Sequence, residues 1–458
     1  MRLHLRTYLD MKKYGPVLRH GPNKLIFNSA EALQDIYNNE KVGKSRIYNL
    51  TVISGKPSIF NVLDKSQHRI KRKLIGQAVS DKAMRAFEPT MAEQVDIFIG
   101  QLTECSEKEV HTNMTERFKC LGMDTVGLLA FGFPLNMQTD PTYRFVIRGL
   151  NVGGYQNHCF MQYPMLKKLG LHKILVLLGK KQRQKYLAML QLMIGSRLAE
   201  EPHAKNDLYS SVFEHLDNTA DGIATSQLWS EALFLFPAGG DTTATALSAL
   251  FFYLSRHSDV YSKLAHEIRS TFSSASEIRG GSKLAGCKYL RASIDEALRM
   301  SPSVSGTLWR ELSNNQKDTE PFIVDGHVIP PGTQVGVSTY CLHHNEKYFP
   351  QPFEFSPERW LVEDEAALRL MNSAFCPFSI GARACAGKAM AYLEMSLVVA
   401  KTLYKFDFDA PPGDLGRVGA GVAGRRDGRD KTDEFQLYDI FAAMHDGPNL
   451  IFRPRANI

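Results

Sequence analysis

From Leu233 to Leu254 the chain is apolar for long enough to mimic a membrane span, yet its centre reads Ala238-Gly239-Gly240-Asp241-Thr242-Thr243. An ionisable side chain and a glycine pair inside such a run suit a long buried helix that lines a cavity better than one facing lipid. The helix expected here runs from Ser226 to about Ser255. Each glycine costs about 1 kcal/mol relative to alanine, and Pro237 removes a hydrogen bond as well. A bent or opened turn at mid-length is the consequence. Phe234 and Ala238, one turn apart, face the cavity.

The second constraint is Phe378 to Gly387, Phe-Ser-Ile-Gly-Ala-Arg-Ala-Cys-Ala-Gly. Gly381 lies four residues before Cys385 and Gly387 two after it, so the backbone can fold tightly round one exposed sulfur. Amide N–H groups turned toward a thiolate stabilise its charge, and Arg383 supplies a fixed cation for an acidic group of a bound ligand. A buried structural cysteine is the commoner fate of a lone Cys. Against that stands the pattern F-x-x-G-x-R-x-C-x-G, which specifies five positions in ten. On this decapeptide the chain resembles the cytochrome P-450 superfamily, whose haem-binding signature it matches. The resemblance implies that Cys385 is the axial thiolate ligand of haem b iron, in a cradle that includes Phe378, Gly381, Arg383 and Gly387. It implies also that Asp241 and Thr242 are the acid–alcohol pair that passes protons to bound oxygen, with Ala238 beside the groove that holds dioxygen.

Other motifs follow in the order the resemblance requires. In the basic helix Gln67 to Gln77, His68 and Arg72 are four apart and share a face. The resemblance places Arg72 on a haem propionate, with His68 where relatives carry Trp, and Arg310 at the position of another propionate cation. Glu296, Arg299 and Arg359 resemble a structural triad held by bidentate Arg–carboxylate geometry. Arg69, Lys71 and Lys73 are expected to be exposed and to steer an acidic redox partner. The long loop Lys41 to Asp64 is placed over the distal face, which makes Ile53, Ile59 and Phe60 candidate substrate contacts. Phe234, Ala238, Val304 in the segment Ser303–Thr307, and Met444 in the tail loop Ala443–Pro448 complete that set. Gly149 to Gly170 reads as an aromatic loop and suits a lid over the entrance.

Elsewhere the pattern is simpler. Tyr14–Arg19 and Lys24–Phe27 read as a hairpin across Gly21-Pro22-Asn23, after which Ser29 caps a helix to Tyr37. Three- and four-residue spacing makes Ala83 to Leu216 mostly helical, and Lys388 to Leu403 is an apolar helix. Thr307–Arg310 and Phe322–Val337 read as strands, turned at Asp325-Gly326 and Pro330-Pro331-Gly332. Pro411 to Thr432, rich in Gly and Arg, is expected to be a flexible insertion.

The composition, 44% hydrophobic and 22% charged with a net +7 over 458 residues, is that of a globular protein and argues against a nucleic-acid binder. Seven cysteines without a C-x-x-C pair fit a reduced, intracellular setting. Cys341, His343, His344 and Cys376 invite a zinc reading, but their spacing fits no compact ligand pattern. Met1 to Lys13 is too charged for a signal peptide or anchor. The resemblance implies that eukaryotic relatives begin with an anchor helix, so either a truncated chain or one whose start is assigned too late is expected, with a full-length form at the cytoplasmic side of the endoplasmic reticulum if it carries that anchor.

The reading is one helix-rich domain over 1–458, mainly α with small β-sheets, with haem between the long kinked distal helix and the proximal Cys loop. What the resemblance implies for function is a monooxygenase of the kind found in fungal secondary metabolism. It would use dioxygen to oxidise a small apolar organic molecule, with electrons from an NADPH-dependent reductase or a cytochrome b-type donor and only peripheral membrane contact. Oxidative coupling, desaturation or rearrangement by the same haem, and a non-catalytic haem protein, are the alternatives.

Overall fold

The computed structural model describes residues 1–52, 55–201, 204–205, 207–210, 223–312 and 320–455. Ile53 lies outside them. Around a mainly helical body the described residues form three small sheets, ordered β1-β2-β8-β5-β3, β4-β10-β9 and β6-β7. The expected opening hairpin is β1 (Val17–Gly21) and β2 (Lys24–Phe27), and β2 also pairs in parallel with β8 (Gln334–Val337). β5 (Arg310–Leu312) joins β8 to β3 (Val42–Lys44), so the loop expected from Lys41 begins as a strand. An N-terminal helix, α1 (Leu3–Tyr14), precedes the hairpin. Ser29 caps α2 (Ala30–Tyr37), its hydroxyl accepting the Ala32 N–H at 3.1 Å, which satisfies one orphan donor of the first turn.

The apolar run behaves as its composition demands. It forms helices Ile223–Phe236 and Thr242–Leu254, joined by a π-type turn over Pro237–Asp241. Every side chain from Thr243 to Leu254 is buried, and no helix among the described residues is long and apolar enough to cross a membrane. Two long helices cover it, α4 (Asp81–Glu107) and α5 (Met114–Phe131), through Phe98, Phe118 and Phe251. The glycines have a packing reason. A Cβ on Gly122 of α5 would lie 2.8 Å from the Gly240 carbonyl oxygen, and one on Gly239 would lie 2.4 Å from a Val126 methyl. Glycine on both sides therefore lets α5 touch the opened turn backbone to backbone.

Three expectations are corrected. The stretch Gly149–Gly170 is mostly helical, in α6 (Phe145–Gln162) and α7 (Pro164–Lys168), before α8 (Leu171–Leu178) and α9 (Lys180–Leu198). Its glycines read as loop because packing is invisible in sequence: Gly154 seats the helix against Ile440, 3.4 Å from where its Cβ would be. Lys71, on α3 (Lys65–Ala78), is buried and paired at 2.7 Å with Glu231 of the long helix, whereas Arg69 and Lys73 are exposed. Pro411–Thr432 is tied to the body by Arg256, which donates to Gly416 O, and by buried Arg429, which donates to Met1 O and Leu437 O.

A buried polar network fixes the helix Lys288–Met300 to the turn Pro357–Leu361. Arg299 grips the Glu296 carboxylate with two hydrogen bonds of 2.8 and 2.9 Å, and Arg359, Trp360 and the Ser356 N–H donate to the same two oxygens at 2.9–3.1 Å. Burial alone would raise the Glu296 pKa, but Arg299, then Arg359, outweigh it and the carboxyl stays below its ordinary value.

Glu296→Gln should destabilise the fold by about 3–5 kcal/mol, because it strands a fully buried guanidinium; urea denaturation of variant and parent at equal protein concentration measures this. Acid acts through the buried histidines. Desolvation lowers His4 from 6.5 to about 4, and it lowers His343 to about 3 with Arg299 adding to the effect. From about pH 6.5 downward the unfolded chain thus binds protons that the folded chain refuses until about 4 and 3. Stability should fall over that window, seen as a denaturation midpoint that drops between pH 7 and pH 5.

Candidate active site

The cysteine loop is closed by local constraints. Ser379 and Gly381 have φ of +56° and +74°, and a Cβ on Gly381 would lie 2.0 Å from Tyr37 O, so only glycine fits that position. The Cys385 N–H donates to Phe378 O at 2.9 Å. Burial raises the thiol pKa, opposed by the Gly387 N–H and by the charges of Arg72 and Lys388. The residue is nevertheless exposed. Both hold if the sulfur faces a concavity walled by protein rather than bulk water.

The loop is anchored to the Glu296 network through His343. Its Nδ1–H donates to Arg299 O at 3.1 Å and its Nε2 accepts the Cys376 N–H at 3.0 Å, and Ser379 N–H donates to Cys376 O at 2.9 Å. With both ring nitrogens engaged, His343 has no lone pair for zinc, and the described residues contain no group of metal-ligating side chains.

Beside the loop, basic side chains crowd together. Arg72 donates to Ala384 O at 2.5 Å and reaches Cys385 O at 3.5 Å. Arg383 donates to Val62 O and Leu63 O at 2.7 and 3.1 Å, and buried Arg310 lies over the Tyr37 ring at 4.8 Å. His68 is buried, and burial, then Arg383, Lys44, Arg72 and Arg310, lower its pKa to about 4. Lys44 is the member that sequence reasoning missed. It stands opposite Arg310 where β3 pairs with β5, donates to Phe60 O, and lies over the Tyr48 and Phe60 rings at 4.3 and 4.0 Å. Burial, then Arg310 and Arg383, depress its pKa strongly. Nothing in a single Lys between Gly43 and Ser45 signals this; only strand register does.

None of these five side chains makes an ion pair within the described residues. Guanidinium groups held together away from bulk water without an ion pair are costly, so Arg72, Arg310 and Arg383, with Lys44 and His68 whose charged forms burial disfavours, fit a ligand that brings its own acidic groups. A thiol in a backbone cradle beside it fits a metal centre. Together they suit an iron porphyrin carrying two carboxylates.

On the facing side, the Thr242 hydroxyl bridges the opened turn by donating to Ala238 O at 2.6 Å. Asp241 points elsewhere: its Oδ1 lies 3.3 Å from Lys119 Nζ of α5, both side chains being buried, and Lys119 also donates to Asn151 Oδ1 of α6 at 3.3 Å. No hydrogen bond joins the Asp241 and Thr242 side chains. Thr245 donates to Asp241 O at 2.8 Å and meets His445 Nδ1 at 3.2 Å. Lys119 and His445, like Lys44, carried no sequence signal.

An aromatic wall faces the same space. Phe60 stacks on Phe234 at 4.9 Å and meets Phe441 edge-on at 5.2 Å. Ile59 is buried and its N–H donates to the Glu231 carboxylate at 3.0 Å, so the Lys71–Glu231 pair holds this loop. Val304 lies with Phe441 round a small cavity. Met444 pairs with Tyr438 through its backbone.

The family described as Cytochrome P450 matches residues 2–417. "Cytochrome P450 monooxygenase" of Gibberella zeae is 32% identical over 429 residues, 93% of this chain and 98% of that protein. "Cytochrome P450 monooxygenase AKT7" of Alternaria alternata is 32% identical over 98% of this chain and 88% of its own length, and "Cytochrome P450 monooxygenase poxM" of Penicillium oxalicum is 35% identical over 98% and 85%. A thiolate loop, a basic cluster and an opened helical turn in one helix-rich domain define a haem-thiolate oxidoreductase. The chain belongs to the cytochrome P450 family; its cofactor is haem b and its activity that of a monooxygenase.

Lys44→Met should have opposite effects on two forms. The haem-free protein should gain stability, since the cost of desolvating the Lys44 amine is removed, while haem is retained less well on dilution. Thermal melts of both forms and the haem-to-protein absorbance ratio measure this, and Arg72→Ala should lower haem retention as well.

Proposed function

We propose that Cys385 binds the haem iron and that Arg72, His68, Lys44, Arg310 and Arg383 receive the propionates, with Phe378, Gly381 and Gly387 shaping the loop. The observation that carries this is the anion-free basic cluster beside an outward-facing thiol. Haem b, when bound, supplies an iron that activates dioxygen and delivers one oxygen atom to a substrate C–H bond. The chain's part is positional and protonic. Thr242 holds its hydroxyl proton at the opened turn, and Asp241, turned toward Lys119 in this structure, takes up a proton and rotates from that pair to act as the acid that restores it. Lys119 holds the Asp241 carboxylate, and Asn151 on α6 holds Lys119, so the helix over the entrance is linked to the proton source. Glu296, Arg299 and Arg359 keep the cysteine loop in place and do no chemistry.

The Phe60–Phe234–Phe441 wall supports an apolar organic substrate, and the relatives support a role in fungal secondary metabolism. Electrons come from an NADPH-dependent reductase or a cytochrome b-type donor, with exposed Arg69 and Lys73 near the cysteine loop to attract an acidic surface. Exposed Tyr163, Met165, Leu169, Ile174 and Leu177 along α7 and α8, with Lys168 and Lys173 among them, support peripheral contact with the cytoplasmic face of the endoplasmic reticulum.

Reduced protein treated with carbon monoxide should show the thiolate-ligated haem band, and Cys385→Ala should abolish it. Thr242→Ala should keep the band but release most of the consumed NADPH equivalents as hydrogen peroxide. Tight coupling in that variant would remove Thr242 from the relay.

A further inference from the structure

Near the aromatic wall, the tail folds back on itself. Tyr438 and Met444 form a β-bridge, and the Ala443 N–H donates to Ser303 O at 2.8 Å, which draws Asp439 into the protein. Its side chain is 0% exposed and is pressed against Gly306, whose Cβ would lie 3.2 Å from Oδ2. Oδ1 accepts the Phe441 N–H at 3.3 Å, whereas Oδ2 has no hydrogen-bond partner. The flanking histidines do not supply one: His158 Nε2 is 3.7 Å from Oδ1 and His4 Nδ1 is 4.0 Å from Oδ2. Burial lowers the pKa of both, that of His4 to about 4, so neither is a cation at neutral pH. The Trp309 indole, 1% exposed, also has an N–H without an acceptor.

Asp439 and Trp309 both line one small, partly open cavity of about 10 Å³, shared with Val304, Gly306, His158 and Phe441. Phe441 lines that cavity, belongs to the aromatic wall and is held at φ +87°, a conformation that costs a non-glycine residue free energy and marks functional sites more often than ordinary ones. A buried acceptor and a buried donor left open at the edge of an apolar pocket cost stability unless something completes them. We propose that Asp439 and Trp309 form a polar subsite of the substrate pocket, one that takes a neutral group able both to donate and to accept, a hydroxyl or an amide, carried on an otherwise apolar molecule. This rests on the haem-thiolate reading and names the substrate class within it. The group donates to Asp439 Oδ2 and accepts from Trp309 Nε1–H. An ammonium is disfavoured because the Lys24 ammonium already lies over the Trp309 ring at 5.0 Å.

The test uses holoenzyme and 1-alkylimidazoles with chains of six to twelve carbons, ending in methyl, hydroxyl or ammonium, with binding followed by the shift of the haem absorbance. At one chain length the hydroxyl terminus should bind about tenfold tighter than its methyl twin, and the ammonium should gain nothing. Asp439→Leu should erase the hydroxyl preference while methyl-terminated binding stays unchanged. Trp309→Phe, which keeps the ring, should reduce the preference several-fold and covers the case in which Asp439→Leu fails to fold. No hydroxyl preference at any length in the parent protein, or a preference that survives both substitutions, overturns the subsite and leaves the cavity as the seat of a structural water. A parent protein with no haem band overturns the haem-thiolate reading instead.

Discussion

The Glu296 carboxylate, fully enclosed and holding five donors, is the interaction on which the reactive end of this protein depends. Taking an ion out of water is tolerable only when its lone pairs are all met, and here the groups that meet them come from two distant stretches of chain. The same guanidinium that pairs with Glu296 reaches the carbonyls of His343 and Pro352 at 2.9 and 2.8 Å. From there the path runs through the His343 ring to Cys376, and from Ser379 and Phe378 to the Cys385 N–H. A loop of small residues would otherwise have little to hold it. The sulfur's direction is therefore set by a network with no part in oxygen chemistry.

On the other side of the site the controlling fact is close backbone contact. Glycine at 122, 239 and 240 lets α5 lie on the opened turn, and that approach alone brings the ammonium of Lys119 to Asp241. At the widened turn Pro237–Asp241 the hydroxyls of Thr242 and Thr245 add hydrogen bonds to the Ala238 and Asp241 carbonyls. The basic cluster shows the reverse economy. Among the described residues no carboxylate pairs with it, and the acidic groups of a bound cofactor are what the proposed site would set against it.

The opened turn was legible in sequence because its signals are covalent and local: a proline and two glycines in an apolar run have few other outcomes. The same holds for the Ser29 cap, for the Asp325-Gly326 hairpin with φ of +47° and +74°, and for the glycine at position 381. Errors arose where packing overrode local propensity. Gly153 and Gly154 read as loop but sit in a helix, and at Gly154 the absence of a side chain is what lets α6 approach Ile440 of the tail. Lys71 read as solvated because its neighbours are basic, yet Glu231, some 160 residues away, receives it.

By itself the sequence determined the class of protein, the tight loop round Cys385, and the place where the long helix must open, since each is written in residues that constrain their own backbone. Only the tertiary structure decided which charges meet. Lys44 beside Arg310, Lys119 on Asp241, and Asp439 and Trp309 round one cavity join positions up to hundreds of residues apart. A Coulomb interaction or a hydrogen bond depends on distance in space and on the exclusion of water, and neither exists until the chain has folded.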